Sequence, residues 1–271
     1  MKRTLTTLLP TFLLQIVKNT YDAIRRVPQV PAAYLHPWRR ESIRRLAALK
    51  DAHKGQRAFI IGNGPSLKQT DLTKLKNEFT FGMNRIYLMF PELGFTTSCL
   101  VSINDLVIEQ CAAEMSALDL PKFLAWRSHR HFPSTLERSN VPTFLYTTYT
   151  GARFSRDVRG RVWEGATVTN VALQLAFHMG FEQVILIGVD HNFASKGDAN
   201  KTVVSEGDDP NHFMPNYFGK GVKWQLPDLD TSEVGYIMAR EAFRESGCEI
   251  VDATVGGKLT VFPKVDYNSL F

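Results

Sequence analysis

The stretch Arg57-Ala-Phe-Ile-Ile-Gly-Asn-Gly-Pro-Ser-Leu67 decides the fold of this chain. It opens with a short, largely apolar run that stops at a glycine, which is typical of a buried strand followed by a tight turn. A second run, Gln183-Val-Ile-Leu-Ile-Gly188, ends in the same way. Both runs therefore predict buried strands that lead directly into glycine-containing loops.

The rest of the chain alternates between strand and helix patterns. Strands are predicted at residues 79–83, 98–103, 122–126 and 143–146, and a helix at residues 106–118. The clearest helix runs from Thr167 to Met179, with apolar residues spaced along one face, Thr167 as the N-cap and Gly180 as the stop. This alternation predicts an α/β, Rossmann-like fold, a mostly parallel sheet with helices on both faces.

The composition indicates a folded chain and excludes two kinds of site. With 44% apolar and 22% charged residues among 271, there is enough material for a core, which excludes disorder for most of the chain. The three cysteines, Cys99, Cys111 and Cys248, are too few for a disulfide framework, and none forms the CxxC pair of a thiolate zinc site. We therefore expect a reducing compartment and a cytoplasmic protein.

Positive charge is concentrated in the first 50 residues. They hold ten Lys and Arg against two acids, a net +8, so the other 221 residues carry −3 of the chain's formal +5. From residue 12 to residue 24 the apolar residues recur at helical spacing, and a basic amphipathic helix is typical of proteins that lie on a membrane surface. The same apolar stripe would equally suit packing on the body or on a partner subunit.

We divide the chain into a basic amphipathic helical leader, residues 1–54, and a catalytic domain, residues 55–271. The apolar run of the leader is shorter than the roughly 20 residues that span a bilayer. We therefore expect any membrane contact of residues 1–50 to be peripheral, at the inner face of the membrane. The mildly acidic body argues against nucleic-acid binding.

Parallel sheets bind ligands beyond the carboxyl ends of their strands. After the first strand, that position holds Gly62, Asn63, Gly64, Pro65 and Ser66. The glycines would let a ligand approach the backbone, and a helix starting at Pro65 and Ser66 would offer free N–H groups to an anion. We predict a phosphate site here, with an ordinary tight turn as the alternative, because the loop matches neither the GxGxxG nor the Walker A pattern.

Polar side chains also follow the other predicted strands. Asn84 follows the second strand, and Asn104 and Asp105 follow the third. A side-chain amide both donates and accepts hydrogen bonds, which suits ribose hydroxyls or a base edge. Asp190 and His191 follow the late strand, where a carboxylate suits a ribose, a base or a metal and a histidine titrates near neutrality. Each of these residues would also serve in a turn or a helix cap.

Residues 194–230 show little periodicity, which is typical of a lid or a binding loop. This lid-like insert contains His212, Tyr217 and Lys220, residue types that suit acid–base and phosphate chemistry. We predict His212 as the general base, with His191 as the second choice. Tyr217 and Lys220 are predicted to contact the phosphate, and a solvated hairpin is the alternative.

The motif Ile60-Ile-Gly-Asn-Gly-Pro-Ser-Leu-Lys68, with Met83-Asn-Arg85 and residues 167–190, resembles a known group of transferases. It is similar to the bacterial sialyltransferases of glycosyltransferase family 42 and to the related domain of unknown function 115. That wider group includes the motility-associated flagellin glycosyltransferases and the 6-hydroxymethylpterin pyrophosphokinase-like proteins. The resemblance covers roughly residues 57–265, and the Asn211-His-Phe and Tyr217-Phe-Gly elements are closer to the wider group.

The resemblance implies a metal-independent, inverting transfer from CMP-sialic acid or a related nonulosonate, with no cofactor required. It implies that Asn63, Asn84 and Asn104 contact the nucleotide and that Thr167 and Asp190 belong to the same site. The implied partners are a nucleotide-sugar donor and a glycan or glycolipid acceptor, as in bacterial polysaccharide biosynthesis.

Two other functions remain compatible with the sequence. A pyrophosphokinase acting on a hydroxymethylpterin-like substrate would need ATP and Mg²⁺. Asp105 and Asp190 would supply carboxylates at neighbouring strand ends, with Asp208 or Asp209 from the loop. The third possibility is a non-catalytic nucleotide-binding module tethered to a membrane.

Overall fold

The computed structural model describes residues 30–137, 140–194 and 197–271, and before them residues 13, 16, 17, 20, 21, 23, 24 and 27. The strands in this part of the chain are β1 Arg57–Ile61, β2 Phe79–Met83, β3 Cys99–Ser102, β4 Lys122–Ala125, β5 Thr143–Thr148, β6 Arg161–Trp163, β7 Gln183–Ile187, β8 Thr202–Val204, β9 Lys223–Gln225 and β10 Glu249–Asp252. The α-helices are α1 Val30–Leu35, α2 Pro37–Leu49, α3 Phe90–Leu93, α4 Asp105–Ala117, α5 Val168–Met179 and α6 Leu229–Glu245.

Eight of these strands form one sheet in the order β10-β7-β1-β2-β3-β4-β5-β6. Every neighbouring pair in it is parallel. Strands β8 and β9 form a separate antiparallel hairpin. The predicted fold class, an α/β Rossmann-like domain with a mostly parallel sheet, is confirmed, and every strand predicted from an apolar run is present.

The strand order creates a topological switch between β1 and β7. The chain passes from β1 outward through β2 to β6 and then returns to place β7 on the other side of β1. In open parallel sheets such a point leaves a crevice at the carboxyl ends of the two strands, where ligands bind. Ile61 and Ile187 end these two strands side by side, so the loops that follow them flank the crevice.

Helix α5 lies at the centre of the domain, against β1, β2 and β3 and against α6. Ten of its twelve residues are buried, as expected for a helix that is covered on all sides. The predicted cap and stop are both present. Thr167 accepts a hydrogen bond from the Thr169 N–H, and Gly180 ends the helix at a φ of +87°.

The sequence pattern predicts no element at β6, β10 or α6. Strands β6 and β10 are three and four residues long, which is too short for a period to be read. Helix α6 contains Gly235, and a glycine lowers helix propensity by about 1 kcal/mol. A Cβ at Gly235 would lie 3.0 Å from Cγ of Asn170, so the close packing of α6 on α5 favours glycine here.

Most of the predicted leader lies outside the described residues. The described positions Ile16, Val17, Tyr21 and Ile24 have exposed side chains. Helix α2, by contrast, packs on β5, where the Ser42 hydroxyl accepts a hydrogen bond from the Phe144 N–H at 2.9 Å. Among the residues that the structure describes, no helix is long and apolar enough to cross a membrane.

Candidate functional site

A cavity of about 840 Å³ lies along the carboxyl edge of the sheet. It extends from the loops after β1 and β7 to the loops after β4, β5 and β6, and residues 224–229 at the end of the hairpin and the start of α6 form part of its wall. Its size falls within the range of about 300–1,000 Å³ that is usual for small-molecule sites. The predicted site residues that line it are Gly62, Asn63, Gly64, Asn84, Asn104, Thr167, Asp190, His191 and His212.

The glycines of the first loop allow the loop after β7 to pack directly against it. A Cβ at Gly62 would overlap the carbonyl group of Gly188, and a Cβ at Gly64 would overlap the carboxylate of Asp190. The two glycines, which we expect to admit a ligand close to the backbone, therefore also admit the loop after β7. Both loops are fixed in place at the switch point.

The anion at the start of the short helical turn 65–69 is the side chain of Asp190. Its Oδ1 accepts from the Ser66 N–H at 3.1 Å and its Oδ2 from the Ser66 hydroxyl at 2.7 Å. The N–H groups of Gly62 and Gly64 donate to the carbonyls of Ile187 and Gly188. Burial raises the pKa of Asp190, and it outweighs the Ser66 hydrogen bonds, which lower it. A phosphate at this loop would therefore depend on side chains more than on these N–H groups.

Asn63 is the side chain of the loop that remains available to a ligand. It is nine-tenths buried, lines the cavity, and its Oδ1 has no hydrogen-bond partner. An unsatisfied buried polar group costs about 1–3 kcal/mol. The Phe213 N–H donates to the main-chain carbonyl of Asn63 at 2.9 Å, which brings the lid-like insert directly onto this residue.

Three other predicted residues both line the cavity and support its wall. Oδ1 of Asn84 accepts from the Ser102 hydroxyl at 3.0 Å. Asn104 caps α4 through Oδ1, and Thr167 caps α5 through Oγ1. The binding and capping interpretations made from the sequence are therefore compatible for Asn104 and Thr167.

Asp105 does not line the cavity. Its carboxylate accepts from the Ser128 hydroxyl at 2.7 Å and contacts Arg130 and His131. Burial alone would raise its pKa, but these neighbours lower the pKa below its usual value. The expectation that Asp105 and Asp190 lie at neighbouring strand ends is wrong, because β1 and β2 separate β3 from β7. The described residues contain no group of three or more His, Cys, Asp or Glu that could hold a metal ion.

His212 lines the cavity and is held by a buried carboxylate. Its Nδ1 lies 2.7 Å from Oδ2 of Asp209, and its ring stacks on Tyr217 with 4.0 Å between the centroids. A carboxylate at Nδ1 favours the tautomer that carries its proton there, which leaves Nε2 as the basic nitrogen. From the sequence, Asp209 is predicted only as a possible carboxylate for Mg²⁺. The turn Asp209-Pro-Asn was the available signal, since Oδ1 of Asp209 accepts from the Asn211 N–H and brings residue 212 back toward the carboxylate.

The structure places Tyr217 and Lys220 away from the cavity lining. Tyr217 is fully buried, its hydroxyl accepts from the Arg85 N–H at 3.2 Å, and burial raises its pKa. Lys220 is exposed. In this arrangement Tyr217 supports the ring of His212 from behind, and neither residue contacts a ligand in the cavity directly.

His191, the second choice of base, has its Nε2 2.9 Å from Oε1 of Glu233 on α6. The backbone at His191 is left-handed, with a φ of +52°. Its side chain contacts α6 and lines the cavity on the side of β7. Unlike the Asp209 carboxylate, the Glu233 carboxylate is about half exposed, at 48%.

The far end of the cavity contains a buried ion pair that the sequence pattern does not predict. Nη1 and Nη2 of Arg127 donate to the two carboxylate oxygens of Glu164, which is almost fully buried. Arg127 comes two residues after β4 and Glu164 one residue after β6. The strand-end rule points to Arg127, since the strand before it is predicted from its apolar run, whereas β6 is too short for the rule to reach Glu164 from the sequence.

A family model for 6-hydroxymethylpterin diphosphokinase MptE-like proteins matches residues 38–196, more than half of the chain. The chain belongs to this MptE-like family. The predicted resemblance to the 6-hydroxymethylpterin pyrophosphokinase-like group is thereby confirmed. In this family member the matched residues include Asn63, Arg127, Glu164 and Asp190, whereas His212 lies beyond them.

Among solved structures, the chain is similar to the MAf glycosyltransferase from Magnetospirillum magneticum AMB-1, with 16% sequence identity and a TM-score of 0.47. The similarity covers 86% of this chain and 39% of the MAf chain, so this family member spans well under half of that protein. No curated protein matches the sequence.

Proposed function

We propose that this member of the MptE-like family is a glycosyltransferase that moves a sugar from a nucleotide-linked donor to a hydroxyl group of a surface glycan. The observation that carries transfer to a hydroxyl group is the Asp209–His212 pair at the cavity, beside the switch-point loops, and the charge of the lining then favours a sugar donor. A histidine oriented by a buried carboxylate suits a general base that removes the proton of an attacking hydroxyl. The same cavity offers Asn63 to the nucleotide.

The proposed reaction is a single displacement with inversion. The acceptor oxygen bonds to the anomeric carbon as the bond from that carbon to the donor phosphate oxygen breaks, and the electron pair of that bond leaves with the nucleotide. The acceptor proton passes to Nε2 of His212. Asp209 accepts from the Nδ1–H and stabilises the imidazolium that forms.

The charges along the cavity favour a donor with little negative charge. Arg127 is the one Lys or Arg among the described lining residues, and Glu164 neutralises it. Asp190 and Asp228 add carboxylates to the lining. CMP-sialic acid carries about two negative charges, one on its phosphodiester and one on its sugar carboxylate, against about four on ATP without Mg²⁺, and would meet less repulsion here. Together with the resemblance of the glycine-loop motif to the sialyltransferases, this favours CMP-sialic acid or a related nonulosonate as the donor, and we infer that the transfer needs no metal cofactor.

Membership of the MptE-like family favours a second candidate, a diphosphokinase that transfers a pyrophosphoryl group from ATP to a hydroxymethylpterin-like substrate. A base that deprotonates a hydroxymethyl group would serve this reaction as well, so His212 does not separate the two candidates. Nucleotide choice and Mg²⁺ dependence separate them. Two carboxylates of the lining, Asp190 and Asp228, already accept hydrogen bonds from Ser66 and Thr231, which fits a magnesium site poorly.

The basic leader fits a transferase that works at the membrane surface. Residues 1–50 carry a net +8, and the described side chains of Ile16, Val17, Tyr21 and Ile24 are exposed. Apolar and cationic groups together bind anionic lipid surfaces. The inferred place of action is the inner face of the membrane, on a glycan or glycolipid acceptor.

The test of the proposed function is release of the nucleotide from CMP-sialic acid, with and without EDTA, by the wild-type protein and by His212→Ala. We expect turnover that survives EDTA in the wild-type protein and a loss of about 10²–10⁴-fold in His212→Ala, the usual contribution of a positioned base. His53→Ala is the matched control, because His53 does not line the cavity and stacks on Phe181.

Near-normal turnover in His212→Ala would remove His212 from the role of base. Turnover of ATP with Mg²⁺, in place of CMP-sialic acid, would favour the diphosphokinase. Nucleotide binding without turnover of either donor would favour the non-catalytic module.

A further inference from the structure

The end of the cavity around Arg127 and Glu164 has no part in the chemistry proposed above. Strands β2 and β3 separate β1 from β4. At the usual strand spacing of about 4.8 Å, the carboxyl ends of β1 and β4 lie about 14 Å apart. A phosphate beside Asn63 therefore does not reach Arg127, and the far end of the cavity forms a second subsite.

We propose that this far end is the acceptor subsite and that it takes an uncharged, hydroxyl-rich sugar ring. The acceptor role rests on the proposed function, because the hydroxyl group that receives the sugar would have to lie at His212. The preference for an uncharged ring rests on the side chains themselves. The preference for an uncharged ring is therefore testable independently of the proposed function.

Arg127 is not arranged to bind an anionic ligand. Its Nη1 donates to the Thr147 hydroxyl at 2.9 Å and to Glu164, and its Nη2 donates to the Ile103 carbonyl and to Glu164. The remaining donor, Nε, is buried without a partner. Because recognition of a carboxylate or phosphate uses a free fork of N–H groups, the fork of Arg127 is already occupied by the protein.

Glu164 keeps the capacity to accept further hydrogen bonds. A carboxylate has about four lone-pair sites, and the two nitrogens of Arg127 use one on each oxygen. Hydroxyl groups can approach the remaining sites one at a time. A flat edge with two parallel donors, such as that of a pterin, would need the side of the carboxylate that Arg127 already covers.

Aromatic side chains form the wall beside this pair. Tyr149 is 55% exposed and lines the cavity, with the Arg127 guanidinium carbon 4.6 Å from the centroid of its ring. The Trp163 indole also lines the cavity and donates to the Tyr149 carbonyl at 3.0 Å, which fixes the position of that residue. An exposed aromatic face beside hydrogen-bond acceptors suits the mixed apolar and hydroxyl surface of a sugar ring.

The backbone after Glu164 is held in an unfavourable conformation. Gly165 and Ala166 are both left-handed, with φ of +55° and +56°. For a non-glycine residue such as Ala166, which lines the cavity, this costs about 1–2 kcal/mol. A Cβ at Gly165 would lie 2.6 Å from Nδ2 of Asn170, so the turn also requires glycine. Strained turns of this kind concentrate at binding sites, and this one positions Glu164.

The test is ligand-observed NMR on the full chain, with methyl β-galactoside and methyl α-glucoside as uncharged probes and glucuronic acid and 6-hydroxymethylpterin as competitors for the same subsite. We expect the two methyl glycosides to bind and the acid and the pterin not to displace them. Tyr149→Ala and Glu164→Gln should each weaken glycoside binding by about tenfold or more, the value of one lost contact to a charged acceptor or an aromatic wall. Glu78→Gln is the control. It breaks the ion pair between Glu78 and Arg57, and neither of these residues lines the cavity.

Tighter binding of glucuronic acid or of the pterin, or unchanged glycoside binding in Tyr149→Ala, would overturn the proposal. Tyr149→Ala keeps the test decisive if Glu164→Gln fails to fold, because Tyr149 is half exposed. CMP binding by both variants is measured in parallel and should be unchanged. Absence of CMP binding in the wild-type protein would contradict the proposed function, whereas loss of the glycoside preference alone contradicts only the subsite.

Discussion

At the scale of single residues, the side chains that line the cavity also hold the fold together. Asp190 ties the loop after β7 to Ser66 of the loop after β1, and Asn104 and Thr167 cap the helices that start at the cavity. A substitution at any of these positions changes both the local structure and the site. To test a binding role at these positions, it must be known whether each substitution stabilises or destabilises the fold.

Asp190→Asn has a predicted signature in the pH dependence of stability. Burial raises the pKa of Asp190 above its ordinary value of 3.8, so the folded state holds the proton more tightly than the unfolded chain. The stability that Asp190 contributes is complete below that value and is lost as the pH rises through the folded pKa. Asparagine does not titrate and still offers an oxygen to Ser66. We expect the Tm of the variant, relative to wild type, to increase as the pH rises above about 4.

Asp157→Asn serves as the control of opposite sign. The hydrogen bonds from the Arg159 side chain, then the one from the Arg159 backbone N–H, hold the pKa of Asp157 well below its usual range. Its contribution to stability is present above the unfolded pKa and is lost as the pH falls. The Tm of this variant relative to wild type should therefore decrease as the pH rises from about 3 to 5. The prediction for Asp190 fails if both variants follow the same trend in thermal-unfolding measurements.

The rule that ligands bind at strand ends identifies Asn63, Asn84, Asn104 and Asp190 as cavity residues from sequence alone. It does not identify the burial of Tyr217, which depends on a contact with Arg85, more than a hundred residues earlier in the chain. Glu164 is missed for a different reason, since the three residues of β6 show no readable period. Local patterns thus locate a site residue when its strand is long, and long-range contacts decide which loop residues face the cavity.

At the scale of elements, the β8–β9 hairpin is docked on the body by a small number of specific contacts. The side chain of Gln110 on α4 accepts from the Lys223 N–H and donates to the Lys223 carbonyl, both at 2.9 Å. Asn104 contacts Gln225 at 3.4 Å, and Phe213 donates to the Asn63 carbonyl. The insert predicted as a lid therefore forms a covering element that is held on the neighbouring strand ends.

Gln110→Ala is predicted to loosen this hairpin without unfolding the domain. Two hydrogen bonds are lost, each worth about 0.5–1.5 kcal/mol, so local opening should become easier by about 1–3 kcal/mol. Hydrogen exchange of the amides in β8 and β9 should accelerate while exchange in β1 and β7 stays unchanged. Glu109→Ala, at an exposed neighbouring position on the same helix, is the matched control. Equal exchange rates in the two variants would show that Gln110 does not hold the hairpin.

At the scale of the whole molecule, the sequence predicts the strands of the parallel sheet from their apolar runs, but not their order. The placement of β7 beside β1 and not beyond β6 creates the switch point, and it results from packing between segments distant in sequence. The same order separates Asp105 from Asp190. The edge of the sheet that holds the site therefore follows from the parallel pairing of the strands. Which side chains lie close together at that edge follows from the order of the strands.

Residues 1–50 are predicted to make the membrane contact, and the first 29 of them combine the apolar stripe of residues 12–24 with half of the net +8. Deletion of residues 1–29 leaves α2 in place, where Ser42 and Leu46 are buried against the body. We expect the shortened protein to lose binding to vesicles of phosphatidylglycerol in a sedimentation assay, and the full chain to bind them less at high salt. Vesicles of phosphatidylcholine are the control for the charge effect. Equal sedimentation of the full and shortened chains with phosphatidylglycerol would contradict the prediction.

The central claim is that the switch-point cavity binds the nucleotide of a monophosphate-linked donor, and titration calorimetry tests it most directly. CMP, and ATP with Mg²⁺, would each be titrated into the wild-type protein and into Asn63→Ala. We predict that CMP binds in the presence of EDTA, that Asn63→Ala weakens this binding by about tenfold or more, and that ATP with Mg²⁺ binds less tightly. Tighter binding of ATP with Mg²⁺ than of CMP, or equal CMP affinity in the two proteins, would contradict the claim.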